Sequence, residues 1–192
     1  KLFKFGVDHL FWKPISTEET IDVFCVGSDI NRDYEILKKI SPRINIKLLT
    51  SKKVNVNNHK NIELIDGSFG NSSISDHQLR ILYNSSKIIL IPLKDVFQPS
   101  GQSVALQAMS CGKTVIISLT KGVFDKVHLK DNHNIVFVQP NSSDSLNSKI
   151  ECLLKNKLNR KNIGRLARRT VIKNFTINHM SDCLNSVLKK FY

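Results

Sequence analysis

The chain has 192 residues, 41% hydrophobic and 23% charged, and its 29 Lys and Arg against 16 Asp and Glu give a formal net charge of +13. That composition excludes a mostly disordered chain, and no apolar run approaches the ~20 residues that a membrane-spanning helix needs. The charge invites nucleic acid, an anionic membrane surface or a phosphorylated substrate as partner, and does not choose among them.

In chain order, Pro14 and the polar hinge Ser16-Thr17-Glu18-Glu19-Thr20 precede a first strand at residues 21–26, which ends at Gly27-Ser28-Asp29. Ile36, Leu37 and Ile40 share one face of a short helix expected at 33–40, which Pro42 stops. Runs at 44–49 and 62–65 are β-branched or aliphatic and bounded by turn residues, hence strands. Leu79, Leu82 and Tyr83 fall at helical spacing within 76–84. The run 87–92, Lys-Ile-Ile-Leu-Ile-Pro, suits a strand buried on both faces. A helix at 104–111 follows, closed by Gly112 as C-cap, then strands at 114–117 and 135–138 and helices at 144–155, 161–173 and 179–190. Alternating strands and helices imply parallel pairing, so the expected fold is α/β, a Rossmann-like doubly wound parallel sheet.

Several chemistries find no support. Cys25, Cys111, Cys152 and Cys183 are far apart, and neither they nor the six histidines show metal-ligand spacing. The thiols are expected to be reduced and mostly buried in a cytoplasmic protein, and the histidines to lie in loops or at the surface. The opening Lys1-Leu2-Phe3-Lys4-Phe5-Gly6 lacks the apolar core of a secretory signal. Without an initiator Met the chain is expected to be a fragment. Sequons at Asn71, Asn84, Asn141 and Asn174 read as compositional accidents in an Asn-rich chain. No GxSxG elbow supports a Ser/His/Asp hydrolase.

Ligands of open α/β sheets bind beyond the carboxyl ends of the strands. The richest loop there is Pro99-Ser100-Gly101-Gln102-Ser103. Its small residues let backbone amides approach an anion, and the following helix N-terminus adds about half a positive charge. Ser100 and Ser103 can donate hydroxyls to phosphate oxygens, or one of them can simply N-cap the helix. The loop at Gly27 and Ser28 lacks GxGxxG, which argues against a dinucleotide site. Arg32 stands at a helix start, a poor place for a cation unless it is aimed at a bound anion; the plainer alternative is an exposed Arg paired with Asp29 or Asp33. Gln107, one turn into the next helix, can bond a ribose hydroxyl or face solvent. Residues 149–173 carry nine Lys or Arg against Glu151 alone, and Lys161, Arg165 and Arg168 share one face of an amphipathic helix. No aromatic residues interleave with these charges, so nucleic acid is an unlikely partner.

Residues 99–116, Pro-Ser-Gly-Gln-Ser-Val-Ala-Leu-Gln-Ala-Met-Ser-Cys-Gly-Lys-Thr-Val-Ile, resemble the signature E-G-F-G-L-x-x-L-E-A-M-A-C-G-x-P-V-I of GT-B glycosyltransferases in the retaining glycogen synthase/sucrose synthase-like group (group 1). Phe5-Gly6-Val7-Asp8, with Phe11 and Pro14, is similar to the segment by which those enzymes leave their N-terminal domain. Residues 174–180 resemble the start of their last helix, which crosses back to it. The resemblance implies a linker at 1–19, a nucleotide-sugar-binding domain at 20–173 and a crossover helix at 174–192. It implies one half of a GT-B enzyme, which binds a UDP- or GDP-sugar between two lobes and transfers the sugar with retention. No metal or other cofactor is implied, because side chains and helix amides stabilise the leaving diphosphate.

The family's two motif Glu residues align here with Pro99 and Gln107, and its Arg and Lys on the diphosphate with Ser28 and Arg32. The expected assignments are therefore Arg32 as the catalytic cation, Gly27, Ser28, Ser100, Gly101, Gln102 and Ser103 around the diphosphate or sugar, and Gln107 on the ribose. A sugar or lipid-linked acceptor in polysaccharide or glycolipid synthesis is expected, chosen by the missing N-terminal lobe, at the inner face of the plasma membrane. The fragment alone is expected to be inactive. A competing reading is a catalytically degenerate basic module that docks on an anionic membrane or nucleic acid.

Overall fold

The computed structural model describes residues 5–68 and 74–189; the opening tetrapeptide 1–4, the sequon Asn71 and the last residue of the helix expected at 179–190 lie outside the described residues. Six strands, β1 (Ile21–Val26), β2 (Ile46–Thr50), β3 (Ile62–Asp66), β4 (Ser86–Ile91), β5 (Thr114–Ser118) and β6 (Val136–Val138), pair in the order β3-β2-β1-β4-β5-β6. Every pairing is parallel. Helices α1 (Asp76–Asn84), α2 (Gln102–Ser110), α3 (Ser143–Lys155), α4 (Lys157–Asn174) and α5 (Ile177–Leu188) complete the described elements, with a 3₁₀ helix at Glu35–Lys39. This is the expected doubly wound sheet, and its strand order reverses between β1 and β4, which opens a crevice there.

β4 shows why an unbroken apolar run becomes a central strand. Ile88, Ile89, Leu90 and Ile91 are all 0% exposed. Ile89 and Ile91 join Tyr83, Met109 and Ala167 on one face of the sheet, and Ile88 and Leu90 join Leu37, Leu146 and Ile150 on the other. Each such side chain contributes about 1.5–3 kcal/mol by leaving water.

Among the elements that differ from expectation, three are instructive. The helix expected at 33–40 shrinks to the 3₁₀ helix, because Arg32 forms a bridge with Leu93 and the Tyr34 hydroxyl donates to the Gly27 carbonyl at 2.6 Å. Both contacts fix the preceding backbone as a loop. The helix expected at 161–173 starts at Lys157, where the Asn156 side chain accepts from the Asn159 amide at 3.0 Å. α2 likewise starts at Gln102 rather than 104, and Cys111 caps its end with Gly112 beyond it at φ +72°. Gly112 then meets α4: a Cβ on Gly164 would lie 2.1 Å from the Gly112 carbonyl oxygen. Only a glycine lets these two backbones approach so closely.

Two of the four cysteines depart from the expected burial, since Cys152 is exposed and Cys183 half-buried, while Cys25 and Cys111 are buried. Burial pushes the Cys111 thiol up to about 12. The sequon residue Asn84 is 5% exposed, and its amide joins Ile15, Lys13 and Arg80 of the backbone, so it has no room for a glycan. The leading segment is tied down: Val7 bonds Phe175 and Ile177 through the backbone, and Trp12 is buried in the core. In contrast, α5 has no buried residue, and Ile177, Leu184 and Leu188 are each about half exposed.

Candidate functional site

The crevice is built from the loops that leave β1 and β4. They are clipped together by backbone bonds from Asp33 to the Pro92 carbonyl (3.0 Å) and from Lys94 to the Asn31 carbonyl (2.9 Å). Arg32, between those bonds, is only 4% exposed. It is therefore neither the exposed cation of the plainer alternative nor a residue of a helix first turn. Its guanidinium lies in a cradle of two glycines: a Cβ on Gly27 would sit 2.6 Å from Nη2, and one on Gly101 would sit 3.4 Å from Nη1. Both glycines have positive φ, +134° and +76°, so side chains are disfavoured there by sterics and by backbone conformation together.

Asp29 organises the cation. Its Oδ2 lies 2.8 Å from Arg32 Nε, while Oδ1 accepts from the Ser100 hydroxyl at 2.7 Å and the Asn31 amide at 3.0 Å. Burial opposes the Asp29 charge, but Ser100, Arg32 and the Asn31 amide outweigh it and hold the carboxyl below its usual range. Asp29 thus answers Nε, whereas Arg32 Nη1 is buried without a hydrogen-bond acceptor. A buried guanidinium with an unanswered donor is costly. It faces the start of α2, where Gly101 is the N-cap and Ala105 is the first amide to bond back into the helix. The amides of 102–104 thus point their partial positive charge into the same crevice.

The structure brings most of the expected residues together, in altered roles. Ser100, Gly101, Gln102 and Ser103 line one small cavity of about 240 Å³ with Asp29 and Phe5. Ser100 is neither cap nor free donor, because its hydroxyl serves Asp29. Ser103 is exposed at the helix start. Ser28 turns away: its hydroxyl accepts from the Ser51 amide at 2.9 Å and lies 3.5 Å from that of Thr50. Gln107 is half-buried rather than solvent-facing, with Oε1 accepting from the Tyr83 hydroxyl at 3.1 Å.

Sequence reasoning gave no role in the site to Asp29, Phe5 or Lys52. Lys52 donates to the Asp29 carbonyl at 3.1 Å. It also lines a broad cavity of about 680 Å³ with Thr50, Val54, Asn55, Leu64 and Asp66, beyond the ends of β2 and β3. The position of Lys52, just past a strand end beside the switch point, is the signal that could have found it.

The basic face of α4 is less solvated than its periodicity suggests. Arg160 is 4% exposed and donates to Leu153 and Glu19. Lys161 pairs with Glu19 at 2.9 Å, and Arg168 donates to the Ser110 and Trp12 carbonyls. Among the described residues no three His, Cys, Asp or Glu side chains group as metal ligands, and no helix is long and apolar enough to cross a membrane.

A parallel sheet with its crevice at the β1/β4 switch point, a helix N-terminus and a cradled arginine define an α/β domain with positive groups gathered at one crevice. The family model for glycosyl transferases group 1 matches residues 51–170, and the chain belongs to that family. No curated protein is a significant match. Among solved structures, sucrose-phosphate synthase from Thermosynechococcus elongatus is similar over all of this chain and 52% of its own, with a TM-score of 0.82 at 16% identity. Anabaena Alr3699/HepE in complex with UDP-glucose is similar over 96% of this chain and 56% of its own, with a TM-score of 0.78 at 13% identity. The C-terminal domain of the group 1 protein LpcC from Francisella tularensis is matched over its whole length and 90% of this chain, at a TM-score of 0.69 and 15% identity. The fold is thus that of the C-terminal half of a GT-B glycosyltransferase, and the chain spans about half the length of the full enzymes it matches.

Proposed function

We propose that the chain is the donor-binding half of a retaining hexosyltransferase that uses a UDP- or GDP-sugar without a metal. The observation that carries this reading is the buried Arg32 guanidinium, held by Asp29 against the start of α2 with Nη1 unanswered. A diphosphate would complete it. Arg32 and the amides of 102–104 bind the phosphate oxygens, and as the glycosidic bond to the diphosphate breaks they stabilise the charge that grows on the leaving group. Ser100 acts through Asp29 as a positioning residue. Lys52 supplies the second cation in place of the family's Arg, whose position Ser28 fills. Gln107 presents its amide NH₂ to the ribose, and the cavity beyond β2 and β3 takes the base. The Anabaena relative in complex with UDP and with UDP-glucose supports a nucleotide-sugar donor.

The acceptor, a growing polysaccharide or a glycolipid, comes from an N-terminal lobe that docks along α5 and the segment around Phe5. The charge of +13 favours work at an anionic inner membrane face in the cytoplasm. Calorimetric titration with UDP, GDP, ADP and their sugar conjugates, without metal, tests the site. Saturable binding of one nucleotide, lost in Arg32→Met, is expected; equal binding by that variant overturns the assignment. Sugar transfer by this chain alone would overturn its reading as an incomplete enzyme.

A further inference from the structure

At the other end of α2 lies a second cavity, of about 290 Å³, near the lower end of the roughly 300–1,000 Å³ typical of small-ligand pockets. The nine residues of α2 separate it from the crevice by about 14 Å. Thr17 of the leading segment, Lys113 before β5, and Lys161, Arg165 and Arg168 of α4 line it, with Glu19 as its carboxylate.

One carboxylate serves too many cations here. Lys113 and Lys161 each lie 2.9 Å from Glu19 Oε1, and Arg160 lies 3.0 Å from Oε2. Arg168 donates to the carbonyls of Ser110 and Trp12, and Arg165 to the Asn162 side chain at 2.9 Å. Those acceptors are neutral and leave both charges uncompensated. Capping the carbonyl end of α2 accounts for Arg168. It does not account for Lys161 and Arg165, which stand on the solvent side.

The shortage of negative charge shows in the titration of the pair. Although burial opposes its charge, the lysines around Glu19 bring its carboxyl down to about 2. Lys113 is lowered as well, first by burial, with Lys161 and Arg160 working against the help from Glu19. The carboxylate is over-supplied with partners while the buried Lys113 is under-supplied, and a second anion would relieve that.

We propose that this cavity binds a phosphate-bearing anion, inorganic phosphate or a phosphate monoester, through Lys113, Lys161 and Arg165 with the Thr17 hydroxyl. The ligand ties the segment before β1 to α4, and its site stands independently of the donor crevice.

Residue-resolved amide NMR tests this, with inorganic phosphate exchanged for chloride at constant ionic strength. Saturable shifts are expected at Thr17, Gly112 and Lys113, and the Lys161→Ala/Arg165→Ala variant should raise the Kd about tenfold or more. Both residues are exposed, and Lys113 and Arg160 remain on Glu19, so the variant keeps its fold. Shifts that never saturate, that persist unchanged in the variant, or that fall only on the amides of 101–103 overturn the proposal. Sedimentation with phosphatidylcholine vesicles containing phosphatidic acid separates the sources. Binding lost in the variant assigns the anion to a lipid headgroup; absence of vesicle binding beside saturable phosphate shifts assigns it to a soluble phosphate.

Discussion

Arg32 and Arg160 are equally buried, each 4% exposed, yet they occupy opposite poles of the sheet and behave as opposites. Arg160, near the amino ends of the strands, bonds the Leu153 carbonyl and the Glu19 carboxylate, so its charge is answered within the fold. Arg32, at the carboxyl ends, pairs with Asp29 through Nε but keeps Nη1 without an acceptor beside an open helix start. Burial alone therefore separates neither residue from the other. What distinguishes the arginine proposed to bind from the structural one is where its donors lead.

The comparison breaks most sharply at Glu19. Glu19→Gln should lower stability at pH 7 by about 3 kcal/mol, by leaving buried cations without their carboxylate, as measured by urea unfolding. Its pKa of about 2 lies below the ordinary 4.5. The stability it brings is thus complete above about pH 4.5 and is lost as pH falls toward 2, and the variant should lose that acid-side slope. Exchanging the two arginines for methionine sharpens the contrast. Arg160→Met should lower the Tm while donor-nucleotide affinity holds. Arg32→Met should leave the Tm level or higher, because a buried charge goes, while affinity falls about 100-fold. The reverse pattern would dissolve the distinction between the poles.

Gly164→Ala comes next. Helix propensity favours Ala by about 1 kcal/mol, but the contact with Gly112 should turn the sign and destabilise by about 2 kcal/mol, read from thermal or urea melts. Smaller effects belong to the crevice rim. Gln107→Ala should weaken the bound nucleotide about tenfold through the ribose, and Ser103→Ala only about threefold, since its side chain is exposed and its backbone amide remains. Calorimetry checks both, and an equal loss for the two would shift weight from amides to hydroxyls.

The sheet was legible because β4 and β5 are apolar on both faces, a pattern that needs cover on each side and leaves little else to form. The first turn of α4 was not, because residues 157–161 hold no apolar period and Leu158 is exposed; the capping Asn156 was the available sign. In the crevice, the Ser100–Gly101 loop could be read from its composition and the turn it demands. The role of Asp29 could not, since its tie to Ser100 spans 71 residues and exists only once β1 and β4 lie side by side. Arg32 was visible as a cation in an awkward place, whereas its depth depends on the Leu93 bridge. Local chemistry announces candidates, and long-range packing decides which of them face the ligand.

Asn156 is the single residue between α3 and α4, closing one helix and capping the next. The joint thus has no slack to absorb a change in chain length. One inserted residue would turn α4 by about 100° relative to α3, carrying Gly164 off Gly112 and Arg160 off Glu19 together. Length variation among relatives should accordingly spare this junction and accumulate in loops whose contacts do not depend on the phase of a helix.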